Sequence, residues 1–234
     1  MEHKRLTLFA GHYGSGKTNI AVNYALALAR EGRKVCIGDL DIVNPYFRTA
    51  DSARELENAG IELISSRYAN TNVDLPALPA ENYRLVQDKS CCGIMDIGGD
   101  DRGAYALGRY TPFILAENNY RMAFVANSYR PLTRTPEEAM EVMREIEAAC
   151  GLPFTCIINN ANLGPETTAQ TVLDALPFME ELSRLSGLPI WLHTAEADVA
   201  RQLEGKLQPV LAMQLQEKYF DLPSQKPGNR PLWG

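Results

Sequence analysis

The chain has 234 residues, of which 45% are hydrophobic and 22% charged, a composition that excludes disordered, collagen-like and coiled-coil proteins. The formal net charge of −6 removes any overall attraction to nucleic-acid backbones or anionic lipid, which disfavours both as partners. No apolar stretch is long enough to span a bilayer, and the first residues lack the pattern of a signal peptide, so we expect a cytoplasmic protein without a membrane partner.

Short apolar runs alternate with helical stretches along the chain. A strand at 6–10, a glycine loop and a helix at 18–31 are followed by a strand at 34–39 and a helical stretch ending at Gly60. Further elements are predicted as strands at 61–65, 92–97, 122–127, 154–159 and 189–193, and as helices around 103–118, 136–149, 168–185 and 196–218.

This alternation is typical of a doubly wound α/β domain, because parallel strands need helical crossovers between them. It predicts a mostly parallel sheet of about seven strands flanked by helices. We expect a single domain over residues 1–223, followed by a Pro/Gly-rich tail at 224–234.

Residues 11–18 read GHYGSGKT and match the pattern G-x-x-x-x-G-K-[ST] in full. The glycines let successive backbone N–H groups point at phosphate oxygens, and the dipole of the following helix adds attraction. Lys17 is predicted to bridge the β- and γ-phosphates, and the Thr18 hydroxyl to coordinate Mg²⁺. The motif predicts a nucleotide site formed by Gly11, Gly14, Ser15, Gly16, Lys17 and Thr18.

Aspartates stand where two predicted strands end. Asp39 and Asp41 lie at the end of the second strand, and Asp96 at the end of the strand at 92–97. The carboxyl ends of parallel strands meet at the ligand-binding edge of an open sheet, so these carboxylates are expected beside the phosphate loop. One of them is predicted to orient the attacking water and another to hold Mg²⁺; capping of the following helices is the alternative.

The stretch GSGKTNIAVNYALALAREGRKVCIGDLD at 14–41 resembles the opening of the MinD/ParA-type (CobQ/CobB/MinD/ParA) P-loop nucleotide-binding proteins. The resemblance continues more loosely through MDIGG, FVANS and IINN. It implies the P-loop NTPase fold with ATP and Mg²⁺ as cofactors.

The resemblance also implies roles for individual residues. Asp41 matches the water-activating aspartate, Asp39 its neighbour on the metal side, and Asp96 the Walker B aspartate, while Asn159 and Asn160 match the adenine-contacting position. The implied catalytic residues are Lys17, Asp41 and Asp96, and the implied metal site consists of Thr18, Asp39 and Asp96.

Two departures from the family pattern affect dimerisation and base choice. Members that form an ATP-sandwich dimer carry a lysine after the first glycine of the loop, where this chain has His12, so a homodimer is possible but lacks its usual cation. Arg48 and Arg102 are candidate substitutes. The stretch Asn159-Asn160-Ala161-Asn162 lacks the carboxylate with which GTP-binding relatives recognise guanine, which favours adenine.

Three functions follow from these observations. The first is a slow, Mg²⁺-dependent ATPase whose nucleotide state switches its binding to an unidentified protein partner. The alternative is an ATP-dependent amidoligase or carboxylate-activating enzyme of the cobyrinate amidase or dethiobiotin synthase type, with a substrate pocket lined by residues 66–90. The third is a nucleotide-binding metal-delivery module, which is supported only by the adjacent thiols of Cys91 and Cys92.

Overall fold

A computed structural model of the chain describes residues 3–40, 52–64, 83–99 and 101–214, with only the backbone at 101 and 102. The strands are β1 (Leu6–Ala10), β2 (Val35–Leu40), β3 (Glu62–Ile64), β4 (Cys92–Ile97), β5 (Tyr120–Ala126), β6 (Cys156–Asn159), β7 (Ile190–Glu196) and β8 (Val210–Met213). They form a single parallel sheet in the order β3-β2-β4-β1-β5-β6-β7-β8.

Helices connect the strands and cover the sheet. They are α1 (Lys17–Arg30), α2 (Ala53–Asn58), α3 (Arg84–Gln87), α4 (Asp101–Gly108), α5 (Thr111–Glu117), α6 (Pro136–Cys150), α7 (Ala169–Asp174), α8 (Leu176–Ser186) and α9 (Ala197–Leu203). No helix within the described ranges has the length and apolar character needed to cross a membrane.

The central strands are apolar along their whole length because helices bury both of their faces. All five residues of β1 are buried; Leu6, Leu8 and Ala10 belong to one large cluster and Phe9 to another. Phe9 packs with Ile20 and Tyr24 of α1 on one face, whereas Leu8 packs with Leu107 of α4 and Ile114 of α5 on the other. The predicted doubly wound architecture is confirmed.

The sheet has an eighth strand where the sequence predicts helix. The helix expected at 196–218 ends at Leu203, and β8 then pairs with β7 from His193↔Val210 to Glu196↔Met213. Beyond β8, the Asn23 side chain of α1 accepts from the Gln214 N–H at 2.8 Å and donates to the Gln214 carbonyl at 2.9 Å. This pair of hydrogen bonds ties the edge of the sheet to α1.

Two predicted helices are each divided in two. The stretch at 103–118 forms α4 and α5, separated by Arg109 and Tyr110. The stretch at 168–185 forms α7 and α8, because Pro177 is accepted only in the first turn of a helix and therefore begins a new one. Residues 215–234, which include the predicted tail, lie outside the described residues.

Candidate functional site

The predicted phosphate loop connects the last residue of β1 to the first residue of α1. Gly14 and Gly16 have φ values of 74° and 93°, the left-handed region that glycine enters without strain. The Ser15 N–H donates to the His12 carbonyl at 3.1 Å, which closes the turn. The loop thus has the curled backbone that the motif requires, directly before a 14-residue helix.

Two polar groups inside the loop match the chemistry of a phosphate. The Lys17 side chain is only 6% exposed, and its Nζ donates to the His12 carbonyl at 3.1 Å. The Ser15 Oγ is buried and has no hydrogen-bond partner among the described residues. A Cβ built on Gly11 would lie 3.3 Å from this Oγ, so the hydroxyl faces the interior of the loop. A buried cation and a buried donor at a curled backbone fit a phosphate group.

The backbone after β4 presses against this loop. A Cβ built on Gly99 would lie 2.7 Å from the Tyr13 nitrogen and 2.8 Å from Lys17 Nζ, so a larger residue would collide there. A Cβ on Gly103 of α4 would likewise lie 2.6 Å from the Gly98 Cα. The phosphate loop, residues 98–99 and α4 are therefore packed in series, with glycine at each close approach.

Asp39 and Asp96 are brought together at the carboxyl edge of the sheet. They are register partners on β2 and β4, and Asp96 also pairs with Phe9 on β1. Register partners of parallel strands point to the same face, and Phe9 packs on the face covered by α1. Asp96 is 1% exposed and Asp39 half-buried. Both carboxylates thus lie on the side of the sheet from which α1 and its loop start.

The two asparagines at the end of β6 make contacts within the protein. Asn160 Nδ2 donates to the Ser15 carbonyl at 2.5 Å, and Asn160 Oδ1 accepts from the Thr194 hydroxyl at 2.5 Å. Asn160 therefore links β7 to the phosphate loop. Asn159 Nδ2 contacts His193 Nδ1 at 3.2 Å, and Asn159 Oδ1 accepts from the Ala161 N–H. Their role at an adenine base remains a prediction.

His193 makes this part of the site sensitive to pH. Its ring is 5% exposed, and burial lowers its pKa below the ordinary value of 6.5. Because Asn159 Nδ2 can only donate, the ring accepts through Nδ1 and is neutral. The unfolded chain binds a proton at this histidine more readily than the folded chain does, so its contribution to stability is complete above pH 6.5 and is lost as the pH falls below that value.

We expect the free energy of unfolding to decrease on acidification by at most about 1.4 kcal/mol per pH unit from this group alone. Urea unfolding of the wild type and of His193→Gln between pH 8 and pH 5 measures the contribution. The burial of His3 also lowers its pKa, but His3 is present in both proteins, so its effect on the free energy of unfolding cancels in the comparison. Equal slopes for the two proteins would contradict the assignment.

Several predicted residues lie outside the described parts of the chain. They are Asp41 and Arg48, and only the backbone of Arg102 is described. The water-activating role of Asp41 and the substitute cations at 48 and 102 therefore remain predictions.

Cys91 and Cys92 do not form a joint metal site. Cys91 packs in the cluster that contains Leu8, whereas Cys92 packs against the cluster that contains Phe9, on the opposite face of the sheet. No group of three or more His, Cys, Asp or Glu side chains suited to a metal ion occurs among the described residues. This geometry gives no support to the metal-delivery hypothesis.

Sequence reasoning missed two contributors to the site, Thr194 and Asn127. Asn127 follows β5, is fully buried, and donates through Nδ2 to the Asn162 carbonyl at 3.3 Å, which joins the loops after β5 and β6. Its place directly after a buried strand is the signal that drew attention to the aspartates. Thr194 lies inside an apolar strand and gave no such signal.

No model of a known protein family matches the chain, and a search of curated proteins finds no match. Similar solved structures include the signal recognition particle receptor FtsY from Elizabethkingia anophelis, with TM-score 0.51, 16% identity, and coverage of 81% of this chain and 58% of that one. The cell division protein FtsY from Thermotoga maritima has TM-score 0.54, 15% identity, and coverage of 79% and 59%.

The signal recognition particle 54 kDa protein from Aeropyrum pernix, solved in complex with GDP, has TM-score 0.50, 18% identity, and coverage of 81% and 41%. The chain thus spans between 41% and 59% of the length of these three proteins. At such identities the likeness establishes architecture alone, and none of the three is a MinD/ParA-type protein. Taken with the parallel sheet and the loop between β1 and α1, it establishes that the chain has the P-loop NTPase fold.

Proposed function

We propose that the chain is a Mg²⁺-dependent ATP-binding protein and a slow ATPase whose nucleotide state changes its affinity for a protein partner. The observation that carries the proposal is the curled glycine loop with the buried Lys17 ammonium at the start of α1. Burying an ammonium costs the least free energy when a negative charge compensates the ammonium. A buried ammonium beside backbone donors is therefore suited to a polyanion.

The residues around this loop suit the β- and γ-phosphates of a nucleoside triphosphate and the Mg²⁺ bound to them. Lys17 would contact the β- and γ-phosphates, and Thr18, at the second position of α1, would supply a metal ligand. Asp96, with Asp39 beside it, would hold the metal's water shell. Bound Mg²⁺ would supply neutralisation of the phosphate charge that develops during transfer. The resemblance of residues 14–41 to MinD/ParA-type ATPases supports this assignment of roles.

The switch is supported by the packing of residues 98–99. Gly99 lies so close to Tyr13 and Lys17 that a phosphate group between them requires the 98–99 backbone to shift. Gly98 in turn contacts Gly103 of α4, so such a shift is transmitted to that helix. Nucleotide state would therefore change the surface that α4 presents, where Tyr105 is 66% exposed.

Adenine is the base that the sequence favours. Asn159-Asn160-Ala161-Asn162 contains no carboxylate to accept from the guanine N–H groups. One similar structure, the 54 kDa signal recognition particle protein from Aeropyrum pernix, was solved with GDP, which makes the base a necessary part of the test.

Calorimetric titration of the protein with ATP and with GTP, each with Mg²⁺, tests the proposal. We expect ATP to bind at least about 10-fold more tightly, a difference of about 1.4 kcal/mol. We also expect phosphate release with ATP alone at fewer than about one turnover per second, below the usual range of enzymes. Absence of binding by both nucleotides would refute the proposal, and tighter binding of GTP would refute the choice of base.

The phosphate-release assay also distinguishes the amidoligase alternative from the ATPase switch. Phosphate release that requires a small carboxylate together with ammonia or glutamine would favour the ligase and contradict the switch. Size-exclusion chromatography with a nonhydrolysable ATP analogue tests the homodimer, for which His12 stands in place of the usual lysine.

A further inference from the structure

Two buried thiols lie side by side near the amino ends of β2 and β4. Cys36 belongs to β2, and its register partner on β4 is Gly93. Cys91 precedes Gly93 by two residues, and residues two apart along an extended chain point to the same face. Both thiols accordingly pack in the cluster that contains Leu8, where Cys36 is 2% and Cys91 3% exposed. Because Gly93 has no side chain, it places no group between the two sulfur atoms.

The two thiols interact directly. The Cys36 thiol donates a hydrogen bond to Cys91, which lowers the pKa of Cys91 below its ordinary value of 9.0 and raises the pKa of Cys36. Burial and the Asp88 carboxylate oppose the decrease at Cys91, whereas the positive charges of Arg5 and Lys34 add to it. A lowered pKa increases the fraction of thiolate, which is the nucleophilic form of cysteine.

A cleft at the amino edge of the sheet gives small molecules access to Cys91. The cleft has a volume of about 350 Å³, and Cys91 lines it, whereas Cys36 does not border it in the described part of the chain. Residues 89–91 form the turn before β4, so the hydrogen bonds of the sheet do not hold the Cys91 backbone. A small oxidant can therefore reach Cys91 first, and Cys91 can then move toward Cys36.

The other three cysteines do not combine these properties. Cys92 packs against the cluster on the opposite face of the sheet, although it is the next residue in the chain. Burial raises the pKa of Cys150 above its ordinary value and the pKa of Cys156 to about 12. Thiols with raised pKa values react slowly, so Cys91 is the cysteine best suited to oxidation.

We propose that Cys91 and Cys36 form a reversible disulfide when the protein meets a peroxide. The Cys91 thiolate attacks one peroxide oxygen, so that an S–O bond forms and the O–O bond breaks. The hydroxide that leaves takes up the proton that Cys91 released. The Cys36 sulfur then attacks the Cys91 sulfur, an S–S bond forms, and the S–O bond breaks as the hydroxyl group leaves with the Cys36 proton as water. The two thiols lose two electrons, and hydrogen peroxide is reduced to two waters.

The disulfide would join two strands at the edge of the sheet opposite the phosphate loop. It uses none of the residues that the proposed ATPase function requires. The inference therefore does not depend on what the phosphate loop binds, and its test needs no nucleotide.

Counting the thiols of the full chain after treatment with hydrogen peroxide tests the proposal. The peroxide is removed with catalase, the protein is unfolded in urea with iodoacetamide, and its intact mass is measured. We expect three alkylated cysteines, because two of the five are then in the disulfide. Treatment with dithiothreitol before alkylation should restore all five, since a dithiol reduces the bond.

Serine variants identify the two partners. Cys92→Ser is the matched control, because it removes the thiol next to Cys91 in the chain but on the other face, and it should keep the disulfide. Tryptic digestion of this oxidised variant should yield a bond between peptides 35–48 and 90–102, in which Cys36 and Cys91 are then the only cysteines. Cys91→Ser should form no disulfide.

Cys36→Ser should stop the reaction at the sulfenic acid of Cys91. Dimedone reacts with sulfenic acids, and we expect it to label Cys91 at least about 10-fold faster than Cys156 in this variant. A merely structural role of the two thiols would not produce this signal. If Cys36→Ser does not fold, the mass of the wild type and the digest of Cys92→Ser still decide the question.

Four results would overturn the proposal. They are five alkylated cysteines in the peroxide-treated wild type, loss of the disulfide in Cys92→Ser, a disulfide between two copies of the chain on a non-reducing gel, and conversion of Cys91 to sulfinic acid without a disulfide.

Discussion

Lys17→Ala is expected to weaken binding of Mg²⁺-ATP by at least about 100-fold, which corresponds to about 2.7 kcal/mol. The ammonium is buried at the start of α1 and is held inside the phosphate loop by the His12 carbonyl. Removing it leaves the backbone donors of the loop but no charge to bridge the phosphates. Calorimetry of the variant and the wild type under identical salt measures the loss.

The control for this prediction is Lys206→Ala, which removes an equal charge at an exposed position outside the site. It should bind ATP as the wild type does. The thermal midpoints of both variants should be compared with the wild type, since a misfolded loop would also lose affinity. If Lys17→Ala keeps the wild-type midpoint and binds within about 3-fold of wild-type affinity, the loop is not the nucleotide site.

Glu117→Ala is expected to destabilise the protein by about 3–5 kcal/mol. The Arg5 and Glu117 side chains are 9% and 10% exposed. Nε and Nη2 of the guanidinium each donate to one oxygen of the carboxylate. A glutamate at the last residue of α5 is unfavourable toward the helix dipole, and its pairing with Arg5 compensates for that. Removing the carboxylate leaves a buried guanidinium charge, which carries the cost.

Chemical denaturation measures this loss, which corresponds to a decrease in the melting temperature of about 6–20 °C for a chain of this size. Glu181→Ala is the matched control, because it breaks the exposed Arg184–Glu181 pair and should leave stability close to that of the wild type. Replacing both Arg5 and Glu117 with apolar residues of similar size should recover much of the loss. Equal effects of Glu117→Ala and Glu181→Ala would refute the argument from burial.

The sequence predicted the parts of the fold that local pattern determines. Buried strands at 6–10 and 92–97, the glycine loop and the helix after it agree with the structure because apolar runs, glycines and helical periodicity are properties of neighbouring residues. Asp39 and Asp96 also lie at the carboxyl edge of the sheet as predicted, since parallel strands end at a common edge.

The sequence did not predict features that depend on contacts between residues far apart in the chain. Val210–Met213 contains residues that form helices well, and they become a strand because the open edge of β7 offers hydrogen-bonding partners. The contact between Asn160 and the Ser15 carbonyl joins positions 145 residues apart, which no local pattern reveals. The Arg5–Glu117 pair, 112 residues apart, was missed for the same reason. Pro177, by contrast, is a local signal that should have divided the predicted helix.

The clasp between Asn23 and Gln214 affects how shortened versions of the protein should be interpreted. A C-terminal truncation that removes residue 210 and everything after it would remove β8 from the sheet and expose the edge of β7. It would also leave the buried Asn23 amide on α1 without two of its partners. Because α1 also carries Lys17, such a fragment is expected to aggregate and to bind nucleotide poorly. Trimming studies of the C-terminal region should therefore retain residue 214, so that damage to the scaffold is not mistaken for loss of a regulatory segment.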